Sequence, residues 1–208
     1  MKRGRLITFE GGEGSGKTTQ IALLEDYLRE KGKPLLCTRE PGGTPLGDKI
    51  RHLILESPED GSEVDIRTEF FLYLASRAQH VKEVLLPALA AGKLVFCDRF
   101  SDATLAYQGY GRGLPLEKIK DMMDFASYGL VPDLTLFFDI TPDLALPRLS
   151  GRKEINRLDQ EALSFHERVY RGYQTLIRDD AKRIAVIDAT VSIEVVSRKI
   201  REKIDAFL

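Results

Sequence analysis

The sequence G-G-E-G-S-G-K-T-T at residues 11–19 decides the fold of this 208-residue chain. It matches the phosphate-loop pattern G-x-x-x-x-G-K-[ST]. The apolar run at residues 6–9 before it predicts a buried strand, and the spacing of Ile21, Leu24 and Leu28 after it predicts a helix. Strand, glycine-rich turn and helix are the context in which this pattern forms a phosphate site.

Each residue type in the motif suits an anion. Glycines adopt positive φ and carry no Cβ, so successive backbone N–H groups can turn inward. The helix N-terminus adds free N–H groups and the positive end of its dipole. Lys17 brings a full positive charge, and the Thr18 hydroxyl is a hard oxygen ligand for Mg²⁺. The alternative, a glycine-rich connector that contains Lys-Thr by chance, is disfavoured by the two flanks.

Composition narrows the class of protein. The length and the 43% hydrophobic content predict one domain over residues 1–208. A net charge of −1, with acidic and basic residues interspersed, argues against a nucleic-acid or membrane-surface partner. Cys37 and Cys97 lie in apolar runs and are expected to be reduced core thiols, which predicts a cytoplasmic location. No run is apolar and long enough to span a bilayer.

Strands and helices alternate along the chain, which predicts an α/β fold with a parallel sheet covered on both faces. The predicted strands are residues 6–9, 34–38, 94–97, 134–140 and 184–187. The predicted helices are residues 20–31, 44–55 with Thr44 as cap, 65–91 interrupted near Pro87, 116–128, 141–149, 161–178 and a last one from 193. Residues 101–113 are interpreted as a mixed polar segment rich in glycine and tyrosine.

Ligands of such sheets bind beyond the carboxyl ends of the strands. Asp98 ends an apolar strand there and is the candidate to hold Mg²⁺, directly or through water. Asp139 ends the next apolar run and is the rival, although it has no basic neighbour. Arg99 would point into the same cleft, where a guanidinium suits bidentate phosphate recognition. A surface Asp-Arg pair remains the alternative for Asp98 and Arg99 taken alone.

Three further stretches make the chain closely similar to a known family. They are T-R-E-P-G-G-T at residues 38–44, D-R-F at 98–100 and A-Y-Q-G at 106–109, and the likeness continues through P-D-L-T at 132–135. Together with the phosphate loop they resemble bacterial thymidylate kinase over nearly the whole chain. The resemblance implies a P-loop nucleoside monophosphate kinase with a five-stranded parallel sheet in the order 2-3-1-4-5. It also implies transfer of the γ-phosphoryl group of ATP to dTMP, with Mg²⁺, in a homodimer.

The resemblance also assigns the site residue by residue. The residues that match the ATP phosphate loop are Gly11, Gly12, Glu13, Gly14, Ser15, Gly16, Lys17, Thr18 and Thr19. The residues that match the dTMP site are Glu13, Pro41, Tyr73, Arg77, Arg99, Thr104, Tyr107 and Gln108. Within this set Arg99 holds the acceptor phosphate, Arg77 lies near a thymine carbonyl and Thr104 near the base edge. Tyr107 and Gln108 lie near the deoxyribose.

Tyr73 stands where the family usually has a phenylalanine stacked on thymine. Its spacing of four residues from Arg77 puts both on one helix face, so a ring and a guanidinium can flank one base. An ordinary core aromatic is the alternative for Tyr73, and Phe70 is expected to be one.

The positive charge at phosphoryl transfer needs a further source. Family members supply an arginine either from the phosphate loop or from a lid, and this loop offers Glu13 instead. The segment G-R-K-E-I-N-R at residues 151–157 therefore predicts a lid at about 150–160. Its catalytic arginine is Arg152 by first choice and Arg157 by second, beside Lys17 and Arg99. The family often has Asp-Arg where this chain has Asn156-Arg157, which weakens the second choice.

Two rival functions remain to be weighed. A GTPase-like switch requires N-K-x-D and a D-x-x-G element, whereas Asn156 is followed by R-L-D and Asp98 by R-F-S. A kinase for another nucleoside monophosphate is closer, and only Thr104 and the A-Y-Q-G stretch argue against it. The histidines at 52, 80 and 166 show no metal-ligand spacing.

Overall fold

The computed structural model describes residues 3–56, 62–151 and 156–208. Its five strands are β1 (Arg5–Glu10), β2 (Leu35–Arg39), β3 (Leu94–Asp98), β4 (Leu134–Asp139) and β5 (Ile184–Asp188). They form one parallel sheet in the order β2-β3-β1-β4-β5. The predicted fold class and strand order are therefore confirmed.

Helices cover both faces of the sheet. They are α1 (Lys17–Glu30), α2 (Pro45–Leu55), α3 (Ile66–His80), α4 (Leu86–Ala90), α5 (Ser101–Thr104), α6 (Leu116–Ala126), α7 (Pro142–Ala145), α8 (Leu163–Asp179) and α9 (Ile193–Phe207). Two π-helical segments, Val81–Leu85 and Leu105–Gly111, and a 3₁₀ segment, Leu146–Gly151, extend them. Leu28 of α1 and Ile200 of α9 pack with Phe96 on one face. Among these described helices none has the length and apolar content that a membrane span requires.

Several predicted helix ends are confirmed and others move. Thr44 caps α2, because its Oγ1 accepts a bond from the Gly47 N–H at 2.9 Å. The predicted 141–149 helix is α-helical only to Ala145 and continues as a 3₁₀ segment. The long 65–91 pattern is helical from Ile66 onward, with a π-helical segment where Leu86 N–H bonds to the Val81 carbonyl. Pro87 follows directly, and its missing N–H accounts for a shift of the bonding pattern here.

The description of residues 101–113 as a mixed polar segment was wrong. The chain is helical from Ser101 through Gly111, as α5 and the second π-helical segment. Ala106 and Tyr107 are buried there against Phe165, Val169 and Tyr173 of α8. Burial against another helix, rather than local sequence pattern, stabilises this helix.

Val81, Val84 and Leu85 lie in the π-helical segment that follows α3. Val81 and Leu85 are fully buried and pack with Leu6, Val95 and Phe100. Val81 and Leu85 are therefore internal core, whereas Val84 is half-buried. Large exposed apolar side chains lie elsewhere, among them Leu53 on α2, Phe71 on α3 and Phe125 on α6.

Candidate active site

The phosphate loop leaves the carboxyl end of β1 and runs into α1. Gly14 and Gly16 have φ values of 71° and 89°, in the left-handed region that favours glycine. A Cβ on Gly14 would lie 2.1 Å from the Ala145 carbonyl oxygen, so only glycine fits this approach. No side chain caps the N-terminus of α1, and its first turn holds no acidic residue. The N–H groups and the positive dipole end of α1 thus face the loop.

Lys17 lies inside this loop and is buried. Its Nζ donates to the carbonyl oxygens of Gly11 at 3.0 Å and Gly12 at 2.8 Å, and to Ser15 Oγ at 3.1 Å. Burial and the neighbouring Arg99 charge lower the pKa of the Lys17 ammonium to about 8, against the opposite effect of Glu13. Lys17 therefore stays mainly protonated at pH 7 and presents a cation to the loop.

A cleft beside the loop, which we call the phosphate cleft, is bounded by residues from several elements. The predicted residues that line it are Glu13, Gly14, Ser15, Gly16, Lys17, Thr18, Thr19, Pro41, Tyr73, Asp98 and Arg99. Six residues not predicted for the site line it too: Arg39, Glu40, Arg51, Leu55, Asn156 and Leu158.

Asp98 and Thr18 fit the chemistry of a cation site in this cleft. Asp98 Oδ1 is buried without a hydrogen-bond partner among the described residues, as expected of an oxygen whose natural ligand is a cation or its water. The rival Asp139 instead accepts bonds from Tyr170 Oη at 2.9 Å and Gln174 Nε2 at 3.2 Å, both on α8. Across the described residues no cluster of three or more His, Cys, Asp or Glu could hold a metal ion by itself.

Arg99 connects the phosphate loop to the neighbouring cavity. Its Nη1 donates to the Gly11 carbonyl at 2.9 Å and its Nη2 to Glu13 Oε1 at 2.5 Å. Tyr107 Oη donates to the same Glu13 oxygen at 3.0 Å, and the guanidinium lies 4.9 Å from the centre of the Tyr107 ring. Glu13 therefore aligns an arginine and a tyrosine side by side at the entrance of the second cavity.

This second cavity, which we call the aromatic cavity, adjoins the phosphate cleft. The predicted dTMP residues that line it are Glu13, Tyr73, Arg77, Arg99, Thr104, Tyr107 and Gln108. Pro41 is the remaining one, and it lines the phosphate cleft. Glu13, Tyr73 and Arg99 line both spaces. Phe70 is buried in the core, as expected.

The position of Arg77 is fixed by neighbouring residues, but one of its guanidinium nitrogens has no hydrogen-bond partner among the described residues. Its Nε donates to Glu40 Oε2 at 2.7 Å, and its guanidinium lies 4.9 Å from the centre of the Phe100 ring. Its Nη1 is buried without a hydrogen-bond partner among the described residues. A buried guanidinium N–H at a cavity wall suits a carbonyl oxygen of a ligand.

Glu40 is a site residue that the sequence did not single out, although it lies in the T-R-E-P-G-G-T stretch. It is 4% exposed and lines both spaces. His80 Nδ1 lies 2.9 Å from its second oxygen, and Thr38 Oγ1 lies 2.7 Å from His80 Nε2. Despite burial, Arg77 and His80 lower the pKa of the Glu40 carboxyl. A carboxylate between two nitrogen donors fixes the position of Arg77.

Arg51 is a second residue of the phosphate cleft that the sequence did not single out. Its Nη1 donates to the Pro41 carbonyl at 3.0 Å, and burial together with the Arg39 charge lowers the pKa of its guanidinium. Arg51, Arg39, Arg99 and Lys17 place four cations around the phosphate cleft, beside the carboxylates of Glu13, Glu40 and Asp98. Only the position of Arg51 one turn before the end of α2, in a helix that starts after T-R-E-P-G-G-T, could have pointed to it.

The structure describes only one of the two candidate lid arginines. Arg152 lies outside the described residues. Arg157 donates from Nε and Nη2 to the Ile54 carbonyl, both at 3.1 Å, and from Nη2 to Glu69. Leu158, beside it, is buried and lines both the phosphate cleft and the aromatic cavity. In this structure the Arg157 guanidinium is bound at the ends of α2 and α3.

A third space, which we call the side cleft, opens on the opposite flank of the phosphate loop. Gly14, Arg148, Ala189 and Ile193 are among the residues that line it. Arg148 Nη1 donates to the Ala189 carbonyl at 3.1 Å, so the guanidinium plane is fixed at this wall. Sequence reasoning did not find the side cleft, because its walls come from the β5–α9 connection and from the 3₁₀ segment at Arg148, which are far apart in the chain.

Comparison with known proteins agrees with this geometry. The family model described as thymidylate kinase matches residues 9–200. A thymidylate kinase of a Synechococcus species is 54% identical over 183 residues, which are 88% of this chain and 85% of that protein. Those of an Exiguobacterium species and of Staphylococcus haemolyticus are each 47% identical, over 95% and 97% of this chain and 92% and 98% of theirs. The chain belongs to the thymidylate kinase family.

Proposed function

We propose that this protein transfers the γ-phosphoryl group of ATP to dTMP, giving dTDP and ADP for dTTP synthesis. One observation carries the proposal: the phosphate cleft and the aromatic cavity adjoin, and Arg99 and Glu13 line both. The γ-phosphate of ATP bound at the loop and the phosphate of dTMP, whose base occupies the aromatic cavity, would then meet at Arg99. Proximity of this kind supplies much of the rate of phosphoryl transfer.

The aromatic cavity supports a flat acceptor base. Tyr73 supplies a ring face, and Arg77 supplies the unpaired Nη1 that suits a base carbonyl. Tyr107, aligned by Glu13, lies where it can crowd the 2′ position of the sugar, as the family resemblance implies. These contacts favour a pyrimidine deoxynucleotide.

The transfer itself needs charge and alignment rather than a general base. The attacking oxygen of a monophosphate is already ionised at neutral pH. Lys17, the N-terminus of α1 and Arg99 stabilise the negative charge that spreads over the transferring group. We assign the lid arginine to Arg152 first and Arg157 second, as the sequence predicts.

The divalent ion is proposed to be Mg²⁺, and Thr18 and Asp98 are the residues that would hold it, directly or through water. Both are oxygen donors in the phosphate cleft, and the buried, unpartnered Asp98 Oδ1 supports the assignment. When bound, Mg²⁺ neutralises charge on the β- and γ-phosphates. The side cleft is the space left for the adenine of ATP, since it lies on the other flank of Gly14–Gly16.

We also propose a homodimer in the cytoplasm, without nucleic-acid or membrane partners. The exposed apolar side chains Phe71 on α3 and Met122 and Phe125 on α6 support self-association, because these two helices pack together and Phe125 is 87% exposed. Cys37 and Cys97 are free, which suits a reducing compartment. Light scattering of the purified protein tests the dimer, and a monomer at all concentrations would reject it.

A coupled assay of ADP release, with ATP and Mg²⁺ against a panel of monophosphates, tests the function. We expect dTMP to be the best acceptor, dUMP weaker, and UMP, CMP and AMP poor. A ribonucleotide preferred over dTMP would replace this proposal with a kinase for another nucleoside monophosphate.

A further inference from the structure

Glu10 is a fully buried carboxylate that no step of the proposed transfer uses. It is the last residue of β1, immediately before the phosphate loop. We propose that Glu10 is a positioning residue that holds the Arg99 turn in the shape needed to bind the acceptor phosphate. The inference rests on the proposed role of Arg99.

The Arg99 turn needs such support. Arg99 has φ 68°, and among the described non-glycine residues only Tyr128 shares a positive φ. This conformation costs an L-residue roughly 1–2 kcal/mol. A residue persists there only when the surrounding structure over-determines it.

Three hydrogen bonds to the end of β1 fix the turn on both sides of Arg99. The Arg99 N–H donates to the Phe9 carbonyl at 3.0 Å. The next N–H, that of Phe100, donates to Glu10 Oε1 at 2.7 Å, and the Ala103 N–H donates to the same oxygen at 3.3 Å. One carboxylate oxygen therefore closes the turn after Arg99 and accepts from the first turn of α5.

The second oxygen of Glu10 has a different partner from the first. It accepts a bond from Tyr173 Oη of α8 at 2.8 Å. In its ionised form, which predominates above its pKa of about 7, the Glu10 carboxylate offers only acceptors, so all three donors can be satisfied together. An amide in its place would keep the shape but offer one acceptor oxygen without a charge, and hydrogen bonds to a charged group are roughly twice as strong.

A positioning role and a purely structural role of Glu10 predict different effects on substrate binding. If Glu10 sets Arg99, its loss weakens the grip on the acceptor phosphate but leaves the ATP side unchanged. If Glu10 only stabilises the fold, its loss lowers the amount of active enzyme or affects both substrates equally. Thymidine, which lacks the phosphate, provides the internal comparison.

The experiment uses the full-length variants Glu10→Gln and Glu10→Ala with Asp139→Asn as matched control. Asp139 ends the neighbouring strand and accepts from a tyrosine of α8, as Glu10 does, but it lines neither the phosphate cleft nor the aromatic cavity. KM is measured for the acceptor and for ATP, Kd is measured for dTMP and for thymidine, and circular dichroism reports folding.

We expect Glu10→Gln to raise KM and Kd for dTMP about tenfold and Glu10→Ala more. KM for ATP and Kd for thymidine should stay within about twofold, and Asp139→Asn should change none of these values. Equal weakening of dTMP and thymidine, or an unchanged Kd for dTMP in folded Glu10→Gln, would overturn the proposal. If the wild type prefers another monophosphate, the proposed function fails, and the same ratios are measured with that nucleotide and its nucleoside.

Discussion

Arg77 and Glu40 lie 37 residues apart in the chain and form a buried ion pair, with Arg77 Nε 2.7 Å from Glu40 Oε2. Both side chains are at most 4% exposed. His80 bonds to the other carboxylate oxygen, so α3 contributes both nitrogen donors to one residue of the β2–α2 connection. The pair fixes the only side of the aromatic cavity where a guanidinium N–H stands unpaired among the described residues.

Removal of Glu40 should be costly, because Arg77 would become a buried charge without its carboxylate. We expect Glu40→Ala to lower the free energy of unfolding by about 3–5 kcal/mol and to weaken dTMP binding. Urea unfolding at pH 7.5 and a dTMP titration measure the two effects. The double variant with Arg77→Ala should recover part of the stability, and a loss below about 1 kcal/mol in the single variant would contradict the pairing.

Lys17→Ala should abolish most of the turnover while the fold stays intact. In the proposed function the ammonium supplies charge at the transferring phosphate, and removal of one such donor costs roughly 10²–10³-fold in kcat. Lys31→Ala, which removes an exposed lysine from the end of the same helix region, is the matched control and should have wild-type kcat. Near-normal turnover in Lys17→Ala would refute the phosphate-loop assignment.

The two lid arginines should separate by kinetics and stability. Arg152→Ala should lower kcat far more than it weakens dTMP binding, because its interaction strengthens at the transition state. Arg157→Ala should also reduce stability, because it leaves the buried Glu69 carboxylate with Arg112 and Gln108 alone. Steady-state kinetics and thermal unfolding of both variants test this, and an unchanged kcat in Arg152→Ala would move the role to Lys153 or Arg157.

Substitutions of Tyr107 test whether its ring excludes acceptors that carry a ribose 2′-hydroxyl. Its ring packs edge-on against Phe165 and Tyr173, which holds it rigidly at the cavity wall. Tyr107→Ala should narrow the gap in kcat/KM between deoxy- and ribo-acceptors, a gap on the order of 10²-fold for a hydrophobic wall. Tyr107→Phe keeps the ring, loses only the bond to Glu13 and should keep the gap. An unaltered deoxy-to-ribo ratio in the alanine variant would contradict this role of Tyr107. By the family resemblance, Thr104→Ala should mainly affect base choice.

Glu10 makes stability depend on pH. Burial and the neighbouring Asp102 raise the pKa of its carboxyl to about 7, against the effect of Arg99, Tyr173 and the Phe100 N–H. A pKa above the unfolded value of 4.5 means that the folded state loses relative stability as pH rises through this window. The full effect is on the order of 3 kcal/mol. Glu10→Gln cannot ionise, so its stability relative to wild type should increase between pH 5 and pH 8 in urea unfolding. A pH-independent difference would contradict the raised pKa.

The local sequence determined the phosphate loop, the α/β class with its parallel sheet, and the Thr44 cap, whereas the strand order came from the family resemblance. These features depend on residues within a few positions of each other: glycines that take positive φ, a cap oxygen three residues from its N–H, and apolar runs of strand length. The family resemblance added the aromatic cavity, and seven of the eight residues it assigned to dTMP line that cavity.

Only the tertiary structure decided what surrounds each carboxylate. Asp98 and Asp139 both end apolar runs and look alike in the sequence. In the structure, side chains of α8 bond to Asp139, whereas Asp98 Oδ1 has no hydrogen-bond partner among the described residues. Likewise Glu40 and Glu10 look like ordinary loop and strand residues until Arg77 and the Arg99 turn are packed against them. Burial and long-range pairing depend on distances in space, and a local pattern along the chain carries no information about them.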